Sequence, residues 1–472
     1  MTIPGETTGV RTGRDGTVTD SRPCLYFSLE HRVVTACVTT FFYGNKTKGL
    51  TVNNFTDSDI KIHRLDNGFT IAMERLPYVH SATLGVWVKT GSAAETPVQA
   101  GLAHFLEHLF FKGTPTRTVH QIMDDIERRG GYINAGTSRE YTNIYVRMLE
   151  EYAGEGLEVL FDILNNSLFQ DIEKERSVIL EEIASVEDTP DELSHDLLSE
   201  FHWPGHPLGR PVSGYAETVS KFGLENFRQF YDTWYTPQNI VFSIAGKFDE
   251  EDVLRRVEKA MCGRKSAPVP AMEGAPRFQS VIKIEERPIS QVHIGIAFPG
   301  PSATAEDRFK CSLLTGILGG GGTARLFEII REQEGLAYNV YAYHTNHIHT
   351  GMMGIYEAVA PQNCGRALAL TFKELQRIRE VPVEEKELEC VRQQLKGSML
   401  MAMEGTQSRM AYMAKGLLFH GRIPPVEEVI AEIDAVTVDD LLEYAGRHIH
   451  RDSCAMLLLG PPETGTNAGI EL

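Results

Sequence analysis

The sequence has few of the features that mark several common classes of protein. Its seven cysteines are scattered, odd in number and include no C-x-x-C pair. That usage is typical of a reducing compartment and argues against a disulfide framework or a thiolate zinc site. Basic residues are scarce, with 46 Lys+Arg against 64 Asp+Glu and a formal net charge of −18. Because phosphate contacts require a basic surface, we expect no nucleic-acid partner.

No stretch is apolar for long enough to predict a membrane span. The most apolar run near the start, PCLYFSLEHRVVTACVTTFFYGN, is interrupted by Glu30, His31 and Arg32 and follows no basic cluster, so it also matches no clean secretory signal. The first twenty residues are rich in Gly, Thr and Asp, and we expect residues 1–56 to be a disordered N-terminal extension, with a cryptic targeting segment as the alternative. The missing signal favours the bacterial cytoplasm, while the extension leaves a periplasmic or organellar location open.

Regular secondary structure is predicted from about residue 57 onward. Two β-type runs flank the turn at Asp66-Asn67-Gly68, and a third strand follows in SATLGVWVKTGS. Helical periodicity covers 98–112 and TVHQIMDDIERRGG, and YINAGTSREYTNIYVRML then alternates like two strands joined at Ser138-Arg139. YAGEGLEVLFDILNNS and IEKERSVILEEIASVED predict two further helices.

The same order of elements recurs in the second half. VSKFGLENFRQFYDTWYTPQNIVFSIAGKF aligns without a gap, 214 residues on, with IDAVTVDDLLEYAGRHIHRDSCAMLLLGPP, so that Phe227 matches Leu441 and Gly246 matches Gly460. A chain of 472 residues with 42% apolar content can fill two cores. We predict an α+β protein of two homologous domains, each an antiparallel sheet packed with helices. The domain bounds are 57–265 and 276–470, with a Pro/Ala-rich linker over 266–275.

The stretch GLAHFLEHLFFKGT places polar residues within an apolar helix. Residues three and four apart share a helix face, so His104, Glu107 and His108 project together. Two imidazoles spaced in this way can bind one metal ion, and catalytic zinc takes three protein ligands and leaves one position for water. The glutamate beside them can act as a general base. The alternative, a core helix with satisfied polar groups, is weakened by the cost of burying two histidines and a carboxylate.

A third ligand has to come from another segment. EKERSVILEEIASVEDTPDEL predicts a helix with an acidic face, on which Glu175 and Glu182 lie two turns apart and share a side. Glu181 points about 100° away from Glu182. The residues alone leave all three glutamates as candidates, and a solvated charged face is the alternative.

Three segments carry a family resemblance: GSAAETPVQAGLAHFLEHLFFKGTPTRT, GGYINAGTSREYTNIYV and ERSVILEEIASVEDTPDELSHDLL. They are similar to the insulinase/pitrilysin family of inverzincin zinc metallopeptidases, most closely to bacterial members that resemble the β subunit of mitochondrial processing peptidase. The similarity extends over about residues 60–460. It implies one Zn²⁺ per chain held by His104, His108 and Glu182, with Glu107 as catalytic base and Glu175 as a supporting residue, and it leaves Glu181 at the surface.

The resemblance also assigns residues that bind substrate. YINAGTSREYT resembles an edge strand to which a peptide adds, which implies that Asn134 and Ala135 lie near the scissile bond. Arg331 and Tyr338 match a pair that binds substrate from the second domain and stabilises the oxyanion, so both count as catalytic. A glycine-rich segment handles substrate in the family. Here it is Gly319, Gly320, Gly321 and Gly322, which by themselves predict a flexible loop without phosphate-binding spacing.

These expectations together describe a zinc-dependent metalloendopeptidase that cleaves short or unfolded peptides by metal-activated water. The acidic composition suits basic or presequence-like peptides. The resemblance implies a homodimer, or a heterodimer with a related subunit, around a peptide chamber. The alternative is a non-catalytic structural or assembly subunit of a processing or respiratory complex. Relatives of that kind typically lose the zinc motif, which is complete here.

Overall fold

This computed structural model describes residues 60–462 and 464–465, and the expected N-terminal extension, residues 1–56, lies outside them. The described part of the first half contains six strands and eight α-helices. The strands are β1 (Ile60–Arg64), β2 (Thr70–Arg75), β3 (Ser81–Val88), β4 (Tyr132–Thr137), β5 (Thr142–Leu149) and β6 (Ile240–Gly246). The helices are α1 (Leu102–Phe110), α2 (Val119–Glu127), α3 (Ala153–Asn166), α4 (Ile172–Glu187), α5 (Pro190–His202), α6 (Ala216–Val219), α7 (Leu224–Trp234) and α8 (Glu250–Met261).

The second half, as far as residue 465, repeats this plan with five strands and six α-helices among its described residues. The strands are β7 (Ile282–Glu286), β8 (Val292–Gly300), β9 (Ala337–Asn346), β10 (Gly351–Val359) and β11 (Ala455–Gly460). The helices are α9 (Arg308–Gly319), α10 (Cys364–Glu380), α11 (Glu385–Ala402), α12 (Thr406–Lys415), α13 (Val426–Ala435) and α14 (Val438–His448). Two π-helical segments, Phe327–Gln333 and Gly416–His420, complete it.

The two sheets share one strand order, which confirms the predicted repeat. The first runs β1-β2-β6-β3-β5-β4 and the second runs β7-β11-β8-β10-β9, so among the described strands only β1 has no counterpart in the second sheet. Helices α7 and α14 begin 214 residues apart, at Leu224 and Val438, as the alignment requires. The α+β class and the duplication were therefore predicted correctly.

Each sheet is mixed, so the expectation of antiparallel sheets is wrong in one respect. Strand β6 is parallel to β2 and antiparallel to β3, and β11 is likewise parallel to β7 and antiparallel to β8. The reason is geometric. The last strand of each half returns after a long helical connection and inserts between two strands that run in opposite directions, so it must be parallel to one of them.

Each half packs its own helices on the inner face of its own sheet. In β3, Leu84 and Val86 point into a core that also contains Phe105 and Leu109 of α1. In β8, Ile294 and Ile296 point into a second core with Leu314 and further side chains of α9. The alternation along the strands therefore selects the face on which the helices lie.

The outer face of each sheet is covered by a helix from the other half. Leu193 and Leu198 of α5 pack on Ala297 of β8 and on β11. In return, Met410 and Met413 of α12 pack on β2, β3 and β6. We call this arrangement the helix exchange. Both outer faces are largely apolar, so hydrophobic burial joins the halves, and buried polar contacts such as the hydrogen bond between Thr83 and Thr406 add to it.

The chain between Met261 and Ile282 forms no helix or strand, and the predicted linker, 266–275, falls in this stretch. The domain bounds 57–265 and 276–470 stay predictions. Within the described ranges, no helix combines the length and the apolar character that crossing a membrane requires.

Candidate metal centre

Helix α1 carries the histidine motif and is fixed at its N-terminus by Glu95. Gly101, the residue before the helix, has a φ of +92°, and a Cβ there would lie 2.5 Å from the carbonyl oxygen of Ser213. Only glycine is therefore accommodated without strain. The Glu95 carboxylate accepts hydrogen bonds from the backbone N–H groups of Gly101, at 2.9 Å, and Ala103, at 2.7 Å. These are unpaired donors of the first helical turn, so Glu95 acts as a cap from outside the helix.

Glu95 is buried, and its surroundings shift its pKa in opposite directions. Burial raises the pKa of Glu95 to about 8, while the backbone N–H groups of α1 and the Arg210 guanidinium act to lower it. Arg210 also donates a hydrogen bond to the carbonyl oxygen of Glu95. Glu95 carries no local signal in the sequence, because its partners lie six and eight residues further along and its own segment forms only short 3₁₀ turns.

Two side chains of α1 and one side chain of α4 come close together. His104 and His108 of α1 direct their Nε2 atoms toward Glu182 Oε2 of α4, at 3.8 and 3.7 Å respectively. The three potential ligand atoms all lie within 4.8 Å of one another. In the described part of the chain, no other three His, Cys, Asp or Glu residues come together in this way. Glu181 is exposed on α4, as the resemblance implied.

The two histidines differ in their electrostatic environment. Burial and the neighbouring His108 lower the pKa of His104 to about 3, so its imidazole is neutral at pH 7. Burial also acts to lower the pKa of His108. The hydrogen bond with Glu175 and the charges of Glu182 and Glu107 outweigh it and raise this pKa above its ordinary value. The carboxylates of Glu175, Glu182 and Glu107 thus favour a positive charge at His108.

Glu175 supports His108 from the side opposite Glu182. Its Oε2 lies 3.4 Å from His108 Nδ1, and its Oε1 accepts a hydrogen bond from Lys112 Nζ at 2.7 Å. Burial acts to raise the pKa of Glu175, but these two hydrogen bonds lower it below its usual range. A carboxylate in this position fixes the orientation of a ligand imidazole and leaves its Nε2 free to bind a metal.

Glu107 is buried next to the two histidines and is held by Thr137 of β4. Thr137 Oγ1 donates a hydrogen bond of 2.5 Å to Glu107 Oε2. Burial raises the pKa of Glu107, although the hydrogen bonds from Thr137 and the charge of His108 act in the opposite direction. Thr137 was not among the residues singled out from the sequence. The alternation of β4 supplied a signal, because residues 135 and 137 share a face.

The two substrate-binding candidates on β4 lie on opposite faces of that strand. Asn134 pairs with Tyr145, whose ring lies in the cluster formed with α12 on the outer face of the sheet. Ala135 pairs with Ile144, which belongs to the inner core, and so shares a face with Thr137. β4 is the last strand of its sheet and pairs only with β5. No described strand pairs with its other edge, which therefore presents unpaired backbone groups to a partner strand.

The glycine segment of the second half differs from the expected loop at its beginning. Gly319 is the last residue of α9 and is buried, and a Cβ there would lie 2.1 Å from the backbone nitrogen of Ala342 in β9. This glycine permits a close approach of helix and strand, so the loop prediction is wrong for it. Gly320 ends the helix, and a Cβ there would lie 2.7 Å from Gly316 Cα. A Cβ added at Gly321 would meet no neighbouring atom, and a Cβ added at Gly322 would meet hardly any.

Arg331 and Tyr338 contact each other. The Arg331 guanidinium lies over the Tyr338 ring, 4.6 Å from its centroid, and its Nη1 donates a 3.1 Å hydrogen bond to the Tyr338 carbonyl oxygen. Tyr338 is 80% exposed. The hydrogen bonds, ion pair and ring contacts described for the pair all lie within the second half. The structure brings Arg331 and Tyr338 together but joins neither of them by such a contact to the histidine group.

The geometry of the histidine group is compatible with zinc. Ligand atoms of a tetrahedral zinc site with bonds of about 2.0–2.1 Å lie about 3.3 Å apart. The Nε2 to Oε2 distances of 3.8 and 3.7 Å need only a small adjustment. The buried Nδ1 of His104 has no hydrogen-bond partner among the described residues, so this imidazole gains no polar compensation on that side. Two imidazoles and one carboxylate are a donor set found in catalytic zinc sites.

Comparison with protein families gives two matches that follow each other along the chain. Residues 70–215 match the family model described as insulinase, peptidase family M16, and residues 221–395 match the model described as the peptidase M16 inactive domain. Among curated proteins, the uncharacterized zinc protease YmxG of Bacillus subtilis is 35% identical over 404 residues, which are 85% of this chain and 98% of that relative. An uncharacterized zinc protease of Streptomyces coelicolor is also 35% identical, over 84% of this chain and 88% of that relative.

Solved structures share the fold. A peptidase M16 inactive domain from Pseudomonas fluorescens superposes with a TM-score of 0.80 at 18% identity, over 85% of this chain and 98% of that one. A protease from Helicobacter pylori gives a TM-score of 0.79 at 18% identity, over 86% of this chain and all of that one. At this identity the likeness concerns the fold alone.

Proposed function

Because the chain belongs to the insulinase (M16) family of zinc proteases, we propose that it is a zinc metalloendopeptidase that hydrolyses short or unfolded peptides. The observation that carries this proposal is the convergence of His104, His108 and Glu182 beside the buried carboxylate of Glu107. One Zn²⁺ bound there would polarise the scissile carbonyl and increase the acidity of the attacking water.

The proposed role of Glu107 is that of general base and then general acid. Its carboxylate takes the proton of the attacking water and afterwards delivers it to the nitrogen of the leaving amine, so that no net proton is consumed. Burial raises the pKa of this carboxyl above its ordinary value, which makes the ionised form a stronger base. Glu175 supports the site by holding the imidazole of His108.

We assign substrate binding to the free edge of β4. A peptide that adds to an edge strand is held by main-chain hydrogen bonds, which require no particular side-chain sequence. Ala135, on the strand face shared with Thr137, lies next to the scissile bond in this proposal, and Asn134 binds the same peptide from the other face. The open glycines, Gly321 and Gly322, contact substrate from the second half, and Gly319 and Gly320 position them.

We assign Arg331 and Tyr338 to the negative charge that develops on the scissile carbonyl. Both side chains remain accessible, and the guanidinium already orders the phenol ring by stacking on it. A cation and a phenol aimed at a developing oxyanion stabilise the transition state more than the ground state.

The proposal also covers the kind of peptide that is cleaved and the oligomeric state. The net charge of −18 favours basic, presequence-like peptides. Such a preference should weaken as salt increases, and peptide libraries digested at low and high ionic strength would reveal it. Sedimentation of the purified chain, alone and with a related subunit, tests the homodimer or heterodimer. The bacterial cytoplasm stays the predicted location.

One substitution tests the activity. Glu107→Gln keeps the size of the side chain and removes the base, so zinc content should remain at one per chain while kcat falls by about 10²-fold or more. Glu181→Gln, an exposed neighbour on α4, is the matched control and should change neither. Turnover of a mixed peptide library and zinc stoichiometry, each measured with and without chelator, are the readouts.

Two results would contradict the proposal. Undiminished turnover in Glu107→Gln would remove this residue from the mechanism. Bound zinc without any cleavage by the unaltered protein would favour the alternative, a non-catalytic assembly subunit.

A further inference from the structure

Among the described side chains, Thr137 is the one that donates a hydrogen bond to the Glu107 carboxylate. Its hydroxyl lies 2.5 Å from Glu107 Oε2, and no second such bond to this carboxylate occurs among the described side chains. The carboxylate itself is only 5% exposed. The backbone of Thr137 also forms a hydrogen bond with this carboxylate, so one residue anchors it twice and restricts its rotation.

The hydroxyl of Thr137 is in turn held by the sheet. Thr137 is the last residue of β4 and pairs with Thr142 of β5, whose own hydroxyl donates to the Thr90 carbonyl oxygen at 2.9 Å. The next residue closes the hairpin, with Ser138 N–H donating to the Tyr141 carbonyl oxygen at 2.8 Å. Threonine is also stiff at χ1 because it is branched at Cβ. The donor is thus fixed relative to the backbone of β4.

The same strand has the free edge to which the substrate is assigned. A peptide paired with β4 takes its register from the backbone of β4, and Glu107 takes its position from the side chain of Thr137 in that backbone. One strand would then set the distance between the scissile bond and the base. Misplacement by about 1 Å between reacting groups can cost about 10²-fold in rate.

We propose that Thr137 is a positioning residue, whose hydroxyl holds the Glu107 carboxylate in register with a peptide bound along β4. This inference rests on the proposed peptidase function. Thr137 itself touches neither the metal ligands nor the leaving group in this scheme and acts only through Glu107.

Three variants separate positioning from simple stability. Thr137→Val keeps the shape and removes the hydroxyl, and Thr137→Ser keeps the hydroxyl. The matched control is Thr83→Val, which removes a hydrogen-bonded hydroxyl from β3, where Thr83 is fully buried and bonds the Thr406 hydroxyl at 2.8 Å, whereas Thr137 is half-buried. We expect Thr137→Val to lower kcat by about 10- to 100-fold with little change in KM. Thr137→Ser should recover most of that loss, and Thr83→Val should leave kcat unchanged.

Two readouts do not depend on turnover. Zinc affinity, measured by competition with a chromophoric chelator, should differ by less than about threefold between Thr137→Val and the unaltered protein, because no ligand has changed. A crystal structure of zinc-free Thr137→Val should show the Glu107 carboxylate displaced or in two conformers. If the valine variant does not fold, Thr137→Ala removes the same hydroxyl with less bulk and is measured instead.

The outcomes distinguish this inference from the proposed function. If Glu107→Gln is inactive while Thr137→Val keeps its full kcat, the function stands and the role of Thr137 is wrong. If Thr137→Val loses zinc affinity and Thr137→Ser does not recover activity, the residue supports the fold only, and the inference is overturned. If the unaltered protein cleaves no peptide but zinc-free Thr137→Val still shows Glu107 displaced, the proposed function fails and the structural link remains.

Discussion

The Glu140 carboxylate, in the turn between β4 and β5, accepts a 2.9 Å hydrogen bond from the backbone N–H of Ile348, in the turn between β9 and β10 of the other half. Its second oxygen lies 3.3 Å from Nδ1 of His347. Glu140 is almost fully buried, so the two hairpin tips are joined where neither is well solvated. The hairpin that bears Thr137 is therefore tied directly to the hairpin that begins near Tyr338.

Replacing Glu140 by alanine should weaken this junction. The change leaves the Ile348 N–H without its acceptor, and a buried donor left unpaired costs about 1–3 kcal/mol. Glu140→Gln retains an acceptor and should cost less. The free energy of unfolding from urea titrations, followed by circular dichroism, provides the measurement. Equal stability of the alanine variant and the unaltered protein would show that the contact is not formed in solution.

Removing the Glu95 cap should destabilise α1, the helix that carries the two histidines. Glu95→Ala deletes the acceptor of two N–H groups at the start of α1 and should lower stability by about 1–2 kcal/mol. Because both histidines follow within two turns, zinc affinity should fall as well. Glu95→Gln, which keeps one carbonyl acceptor, should lie between the two. Thermal unfolding and chelator competition check both effects, and an unchanged zinc affinity in Glu95→Ala would argue against the cap as a support of the site.

Glu175→Gln should weaken zinc binding without removing a ligand. Partners that orient a ligand imidazole typically contribute 10- to 100-fold in metal affinity or activity, and we expect a loss of about that size. Added zinc should restore the activity of this variant. The control is Glu181→Gln, on the exposed face of the same helix. A variant that stays inactive at saturating zinc would indicate that Glu175 has a direct chemical role.

The second half should lose stability as the pH rises because of Glu357. This carboxyl is fully buried, receives a hydrogen bond from Thr371 on one oxygen and has no partner in the described structure for the other. Burial raises its pKa from 4.5 to about 7, although the Thr371 bond opposes the shift. Since the folded pKa exceeds the unfolded value, the protonated form stabilises the fold. This contribution is complete below about pH 4.5 and is lost as the pH rises through about 7.

Glu357→Gln isolates this effect. The variant cannot ionise, so its stability relative to the unaltered protein should increase by about 3 kcal/mol between pH 4.5 and pH 8. Urea titrations of both proteins at several pH values give the difference, in which the other titrating groups cancel. A difference that does not vary with pH would show that Glu357 remains ionised in the folded state.

Tyr338→Phe should affect catalysis and not stability. The phenol is 80% exposed, so the free energy of unfolding should change by less than about 0.5 kcal/mol. If the hydroxyl stabilises the oxyanion, kcat should fall by about 10²-fold, with a smaller change in KM. Steady-state kinetics on a defined peptide measure both constants. A rise in KM alone would assign Tyr338 to substrate binding.

Structural features that arise from residues close together in the sequence were predictable. His104, Glu107 and His108 share a face because the helix has 3.6 residues per turn, and the apolar residues around them fix that face. The same reasoning gave the strand pair of YINAGTSREYTNIYVRML. The choice of Glu182 over Glu181 required the family resemblance, since both glutamates lie on one helix and only tertiary packing separates them.

The remaining features depend on contacts between segments that are distant in sequence. Glu95 caps a helix from a separate turn, and Thr137 reaches Glu107 across the space between strand and helix. Gly319 was expected in a loop because four glycines in a row indicate flexibility, whereas the packing of α9 on β9 requires a residue without a side chain there. The direction of β6 and β11 follows from where each strand inserts, which local propensity does not encode.

The helix exchange has a consequence for how such a chain can evolve. Helix α9, the counterpart of the metal helix, contains no histidine, aspartate or glutamate, so this helix is free of the metal-binding constraint that acts on α1. That half still supplies α12, which covers the apolar outer face of β2, β3 and β6. A duplicated gene whose copies each supply a helix to the other can lose the metal ligands in one copy, but deletion of that copy would expose the outer face of the remaining sheet to water.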